Sequence, residues 1–181
     1  MYTNILAVAI AALGFIIYVA LYSFWKHRSS SATLVGSISG AVPPVVGYCA
    51  VSGHLDMGAI LLFLIIVLWQ MPHFFAIAMY RFTDYEAASI PVLPVKKGIP
   101  TTKIQMLLYI IAFIAAAFML IAFGYTGYAY LAVAALLGLA WLGLCIKGFR
   151  CANDKLWARS MFRFSLVVIM GISAMISFDA L

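Results

Sequence analysis

Every lysine and arginine of this chain falls in alternate gaps between six apolar runs, and that alternation restricts the fold more than any single motif. The runs are approximately Ile5 to Trp25, Ser31 to Val51, Met57 to Tyr80, Ile104 to Phe123, Tyr128 to Ile146 and Phe164 to Phe178, each near the length of a membrane-crossing helix. Lys26 and Arg28 lie in the first gap, Arg81, Lys96, Lys97 and Lys103 in the third, and Lys147, Arg150, Lys155, Arg159 and Arg163 in the fifth. These are all 11 Lys and Arg of the 181 residues, so the second and fourth gaps and both ends carry none. With 67% hydrophobic residues, 9% charged and a mean hydropathy of +1.14, a soluble domain is excluded, because a chain this size could not cover that much apolar surface. The expected fold is an all-α polytopic membrane protein of six transmembrane helices.

The positive-inside rule puts the first, third and fifth gaps on the cytoplasmic side. Both termini then face outward, although the start Met1-Tyr2-Thr3-Asn4 has no signal peptide to export it. An odd number of further spans upstream would remove the conflict. Residues 1–181 are therefore expected to be a single transmembrane domain that lacks upstream helices. Cys49, Cys145 and Cys151 form no C-x-x-C pair, so neither a disulfide framework nor a zinc site is expected.

The chemically versatile residues concentrate between Trp69 and Lys97. Read as one continuous helix, Asp84 lies eleven residues after His73, roughly three turns and about 16 Å along one face. Gln70, His73 and Asp84 then line up, with Trp69 and Arg81 flanking them. Pro72 is expected to kink the helix near Leu68. Polar side chains inside a membrane are costly and tend to face cavities, which favours a cavity beside Gln70 and His73 over simple packing. Beyond Tyr80, the acids Asp84 and Glu86 lie among Arg81, Lys96 and Lys97. Such a group can hold Mg²⁺ and a phosphate, or it can be a solvated charged loop with weak ion pairs.

Other stretches carry less. Gly36 and Gly40 are spaced for close helix packing, and the same missing side chains leave room for a flat ligand. Pro43 and Pro44 break that span. Tyr22, Trp25, Lys26 and Arg28 read as an interface, or as an anion site at the mouth of the bundle. His54 and Asp56 read as a solvated turn. The fifth gap reads as a basic interfacial anchor in which Asp154 has no spacing partner.

Three motifs, GSISGAVPPVVGY, LWQMPHF and DYEAASIPVLPVKKG, closely resemble the protoheme IX farnesyltransferase (haem O synthase) branch of the UbiA-type membrane prenyltransferases. The resemblance runs along essentially the whole chain and implies the last six helices of a nine-helix bundle. It implies a cavity open to the cytoplasmic side, in which a farnesyl group passes from farnesyl diphosphate to a vinyl group of haem b while water adds a hydroxyl, giving haem O. Asp84 matches the second of two aspartate-rich segments that hold Mg²⁺ and the diphosphate. Trp69, Gln70, His73, Tyr85, Pro91, Pro94 and Lys97 match the pattern around it. The first aspartate-rich segment has no counterpart among residues 1–53, so this chain alone is expected to be inactive or nearly so. The branch pattern of adjacent Lys and Arg is here His27-Arg28, with Lys26 one position earlier.

The implied catalytic set is Asp84, His73 and Lys97, with Asp84 holding the metal through Mg²⁺ and diphosphate. Lys97 would stabilise the leaving group, and Trp69 and Tyr85 the allylic cation. Arg81 or Arg28 would meet the haem propionates. Gln70, Lys96 and Tyr22 complete the substrate-binding set. His73 would contact the haem or handle the proton when water adds. The implied surroundings are the bacterial cytoplasmic (inner) membrane and its lipid bilayer, with possible contact to haem-handling or terminal oxidase assembly proteins and no nucleic acid. Competing readings are another UbiA-type aromatic prenyltransferase, an inactive piece of the enzyme, a haem-carrying membrane subunit and a channel or transporter. The haem subunit lacks paired histidines at matched depth, and the channel lacks further intramembrane charges.

Overall fold

The computed structural model describes residues 3–22 and 32–180, and every named element in it is helical. Helix α1 (Ile5–Ile16) starts at Asn4, whose side chain accepts from the Ala7 N–H at 2.8 Å and donates to the Cys49 carbonyl at 2.7 Å. A π-helical turn, Ile17–Tyr22, continues it. Helices α2 (Ala32–Gly40) and α3 (Val42–Ser52) form the second span and part at Ala41. Pro43 and Pro44 account for the break, since neither can donate to a carbonyl one turn earlier while both suit a helix's first turn. Gly53, at φ 75°, ends α3 in the left-handed region. Helix α4 (Met57–Tyr80) is capped by Asp56, which accepts from the Ala59 N–H at 3.1 Å. It runs unbroken past Pro72, so the kink expected near Leu68 does not interrupt it.

Then come α5 (Phe82–Ala87), α6 (Leu93–Ala122), α7 (Tyr128–Lys147), a 3₁₀ turn (Gly148–Arg150) and α8 (Asp154–Phe178). Among the described residues, five segments are long and apolar enough to cross a membrane: Ala32–Ser52, Met57–Tyr80, Leu93–Ala122, Tyr128–Arg150 and Asp154–Phe178. A shorter apolar helix covers Ile5–Ala20. The protein is an all-α polytopic membrane protein.

Two helices begin well before the apolar runs that announce them. α6 starts at Leu93 rather than near Ile104, and its first turns are set off from the rest at Gly98, where φ is 82° and ψ 165°. α8 starts at Asp154 rather than near Phe164, because Trp157, Ala158 and Met161 already place a buried stripe in the basic segment. Most of the expected interfacial anchor is therefore helix. Asp154 also has a partner. Its carboxylate meets the buried Lys103 ammonium at 2.5 Å, and Lys103 donates as well to the Gly148 carbonyl at 2.6 Å. Linear spacing could not show a pair 51 residues apart.

Helix α4 is the centre of the bundle, packing on α6 and α8 along one side and on α2 and α3 along the other. The main core fills the space among α4, α6, α7 and α8, with Phe113, Tyr130, Met106, Met161 and Trp141 fully enclosed. A smaller core of Val45, Cys49 and Ala59, with Leu6, Ile10 and Tyr48 packed on it, joins α1 and α3 to α4. Small residues set these crossings, as expected where lipid supplies no hydrophobic drive between helices. A Cβ on Gly14 would lie 2.6 Å from Val42, and one on Gly138 2.9 Å from Ile114.

The connections sort into two ends, as the charge pattern requires. Asn4 bonds the end of α3, and Gly58 lies against both Tyr48 and Tyr125. Thr126 pairs with Ala180, and Asp179 accepts from the Tyr130 N–H at 2.6 Å. At the opposite end stand Arg81, Lys96, Lys97 and the cations around α8's first turns. His54 and Asp56 pair at 3.3 Å in the turn between α3 and α4, where His54 is exposed.

Candidate functional site

Two adjoining hollows open between α1, α2 and α4. Each has a volume of about 540 Å³, and they share Tyr18, Gly36 and Phe74 in their walls. The first reaches the polar end of the bundle, where Tyr85, Ile90 and Val92 line it. The second runs deeper, past Gly40 and Pro43 to Gln70. Both are mainly apolar, and Gly36 lies in the wall of each. The room for a ligand that the glycine spacing left open is therefore present, beside close packing at Gly40. There a Cβ would come within 2.6 Å of Gln70 Oε1, so the Gln70 amide lies directly on the α2 backbone.

The single face expected for Gln70, His73 and Asp84 does not exist. Arg81, at φ −102° and ψ 25°, ends α4, so α5 begins a new register and Asp84 is no longer in phase with His73. Within α4 the two polar residues also diverge. Gln70 looks toward α2, whereas His73 and Trp69 pack against α8.

That second cluster is closely built. His73 is 8% exposed, and its Nδ1 lies 2.7 Å from Ser165 Oγ. Trp69 donates from Nε1 to the Ser165 carbonyl at 2.8 Å. The imidazole stacks on Trp69 at 4.7 Å between centroids, with Phe162 at 5.0 Å and the edge of Phe74 at 5.5 Å. Ser165 is the residue that sequence reasoning missed. Its one available signal was a small polar side chain inside an apolar run, a type that often bonds across membrane helices.

The charged residues lie on the segment that follows α4 and line neither hollow. Asp84 and Arg81 form an exposed ion pair at 3.6 Å, and the Arg81 guanidinium sits over the Tyr80 ring at 5.9 Å. Glu86, Lys96 and Lys97 are exposed, the two lysines just ahead of the turn at Gly98. Tyr85 is half-buried and turns into the first hollow. Among the described residues, no group of three or more His, Cys, Asp or Glu is gathered as a metal site. The accessible carboxylate of Asp84 beside cations suits Mg²⁺ held mainly by diphosphate oxygens and water, since that ion commonly takes one or two carboxylates. Arg28 and the Tyr22 side chain lie outside the described residues.

The sequence profile of the UbiA prenyltransferase family matches residues 1–167. The chain belongs to this family. It is 57% identical over 178 residues to a protoheme IX farnesyltransferase of Protochlamydia amoebophila (strain UWE25), covering 98% of this chain and 63% of that protein. It is 56% identical to protoheme IX farnesyltransferase 2 of Pseudomonas paraeruginosa (strain DSM 24068 / PA7), covering 98% of this chain and 60% of that protein. For the protoheme IX farnesyltransferase of Yersinia enterocolitica serotype O:8 / biotype 1B (strain NCTC 13174 / 8081) the identity is 54%, with 97% and 60% covered. The chain thus spans 60 to 63% of the length of these curated relatives. No solved structure matches it. The segment that follows α4 and the glycines of α2 both border the first hollow, through Tyr85, Ile90 and Val92 on one side and Gly36 on the other.

Proposed function

We propose that this chain serves a membrane prenyltransferase that moves a farnesyl group from farnesyl diphosphate to a vinyl group of haem b, forming haem O. The observation that carries the reading is the pair of adjoining apolar hollows, the first of which is lined by Tyr85, next in the chain to the exposed Asp84. A prenyl diphosphate has the same division, an apolar tail with a charged head, so tail burial and head-group charge would orient it together. Identity of 54 to 57% to proteins named protoheme IX farnesyltransferase supports this choice among prenyl acceptors. The mouth would face the cytoplasm of a bacterial cytoplasmic membrane, following the lysines and arginines.

In this reading Asp84 holds Mg²⁺ at the diphosphate, with its exposed Arg81 pair opening at little cost, since water screens a pair so placed. Bound Mg²⁺ would neutralise charge that builds on the departing diphosphate. Lys97 and Lys96 add donors at the same end. Tyr85 and Phe74 line the hollow, where aromatic rings would stabilise a developing allylic cation. Gln70 ends the deep hollow and orients what reaches it. Arg81 or Arg28 would pair with haem propionates, and Tyr22 would add a substrate contact. Trp69 and His73 act from the α8 side.

The test is haem O formation, followed by mass spectrometry, in membranes holding a full-length enzyme that contains residues 1–181, with farnesyl diphosphate, haem b and Mg²⁺. Asp84→Asn is expected to lower turnover by about 100-fold and to weaken the Mg²⁺ dependence. An active chain whose rate and Mg²⁺ dependence survive that change would sink the role given to Asp84.

A further inference from the structure

The buried glycine between α7 and α8 decides where its neighbours lie. A Cβ on Gly148 would run into the Trp157 ring, so the 3₁₀ turn is pressed onto α8. The Gly148 carbonyl accepts from the Lys103 ammonium at 2.6 Å and from the Cys151 thiol at 3.2 Å, which ties the turn to α6 as well. With Gly148 held inward, Ile146, Lys147, Phe149 and Arg150 on either side of it are exposed. These four residues and Leu107 of α6 line a third hollow of about 520 Å³. It shares no lining residue with the two hollows described above.

The depth of this hollow matches the boundary between acyl chains and lipid phosphates. Helix α7 has 20 residues from Tyr128 to Lys147, and a helix of that length spans about 30 Å, the thickness of the hydrocarbon layer. Lys147 and Arg150 therefore reach the headgroups. Leu107 lies one turn, about 6 Å, past Lys103 along α6 and so at acyl-chain depth. The two cations are also unspent. Among the described residues neither side chain makes an ion pair or a hydrogen bond, and Asp154, the only acid within residues 147–163, is held by Lys103.

We propose that this hollow binds one anionic phospholipid, with its phosphate between Lys147 and Arg150 and an acyl chain along Leu107, Ile146 and Phe149. Charge and shape select that occupant together. A zwitterionic lipid would bring an ammonium of its own against two cations, and a free phosphate would leave the apolar wall uncovered. Each basic residue at a membrane surface favours an anionic lipid about 5-fold, so the pair gives about 30-fold.

Native mass spectrometry of the full-length protein that contains residues 1–181, in detergent with phosphatidylglycerol or phosphatidylcholine of the same acyl chains, reads the affinity of the first lipid bound. Phosphatidylglycerol should bind about 10- to 30-fold more tightly than phosphatidylcholine. Lys147→Gln with Arg150→Gln should remove that preference and leave phosphatidylcholine binding as it was, whereas Arg150→Lys, which keeps the charge, should retain it. Lys155→Gln with Arg159→Gln removes the same charge from exposed positions on α8 and should also retain it. No preference in the wild type overturns the proposal. Equal losses in the two double variants overturn it as well, since the attraction would then belong to the whole basic surface. Glycerol phosphate that competes as well as the intact lipid also overturns it, reducing the hollow to an anion site without a lipid.

Discussion

Lys103 is the residue at which the gap between a linear chain and its fold is widest. In the sequence it is one more cation of a cytoplasmic connection. In the structure it lies inside α6, with a side chain only 10% exposed, held by Asp154 and the Gly148 carbonyl. Breaking such a pair leaves an uncompensated charge in a poorly solvated place. Asp154→Ala should therefore cost about 3 kcal/mol, the low end for buried pairs because Asp154 itself is 36% exposed. The double variant Lys103→Met with Asp154→Leu should recover most of it, as thermal unfolding in detergent would read. Gly40 gives a second case. Gly40→Val would push into the Gln70 amide, narrow the deep hollow and cost about 1–3 kcal/mol, measurable as a lower Tm and weaker binding of a farnesyl diphosphate analogue. Gln70 and His73 were legible because polar atoms inside an apolar helix demand partners. Which partners could not be read, since Ser165 is 92 residues from His73 and Gly40 lies on another helix.

At the scale of the element, hydropathy located the spans and misplaced their polar ends. A buried stripe such as Trp157, Ala158 and Met161 leaves the average of a basic segment low, so the start of α8 was hidden. The same holds for α6 ahead of Gly98. Caps are more readable, and Asp56 carries a prediction. Partial desolvation pushes its carboxyl up, but the Tyr48 hydroxyl, the Ala59 N–H and His54 outweigh this and hold it below the ordinary 3.8. A lowered folded value means that the contribution is fully present above about 3.8 and is lost as pH falls through the lower folded value. Acid unfolding of wild type and Asp56→Asn should converge in that window, with wild type the more stable at neutral pH.

For the whole molecule, the alternation of cations was enough to sort the connections into two ends, because lipid leaves few ways to arrange spans. It could not tell which helix would be central. α4 takes that place, with a hollow on one side and the His73 cluster on the other. The two ends make a topological prediction. With native cysteines replaced, Glu86→Cys should react with an impermeant maleimide only from the cytoplasmic side, and Leu55→Cys only from the outside. The reverse pattern would overturn the orientation.

The contacts of Asp179 have a mechanical meaning. Gly127 offers α7 no capping side chain, and Asp179 takes that role from the far end of α8, accepting from the Tyr130 and Gly127 N–H groups at 2.6 and 3.0 Å. α7 and α8 thus form a noncovalent ring whose clasp lies at the membrane surface. A pull on the C-terminal end, as in force spectroscopy, loads that clasp before it loads α8, so the first rupture reports a cap and not the extraction of a helix.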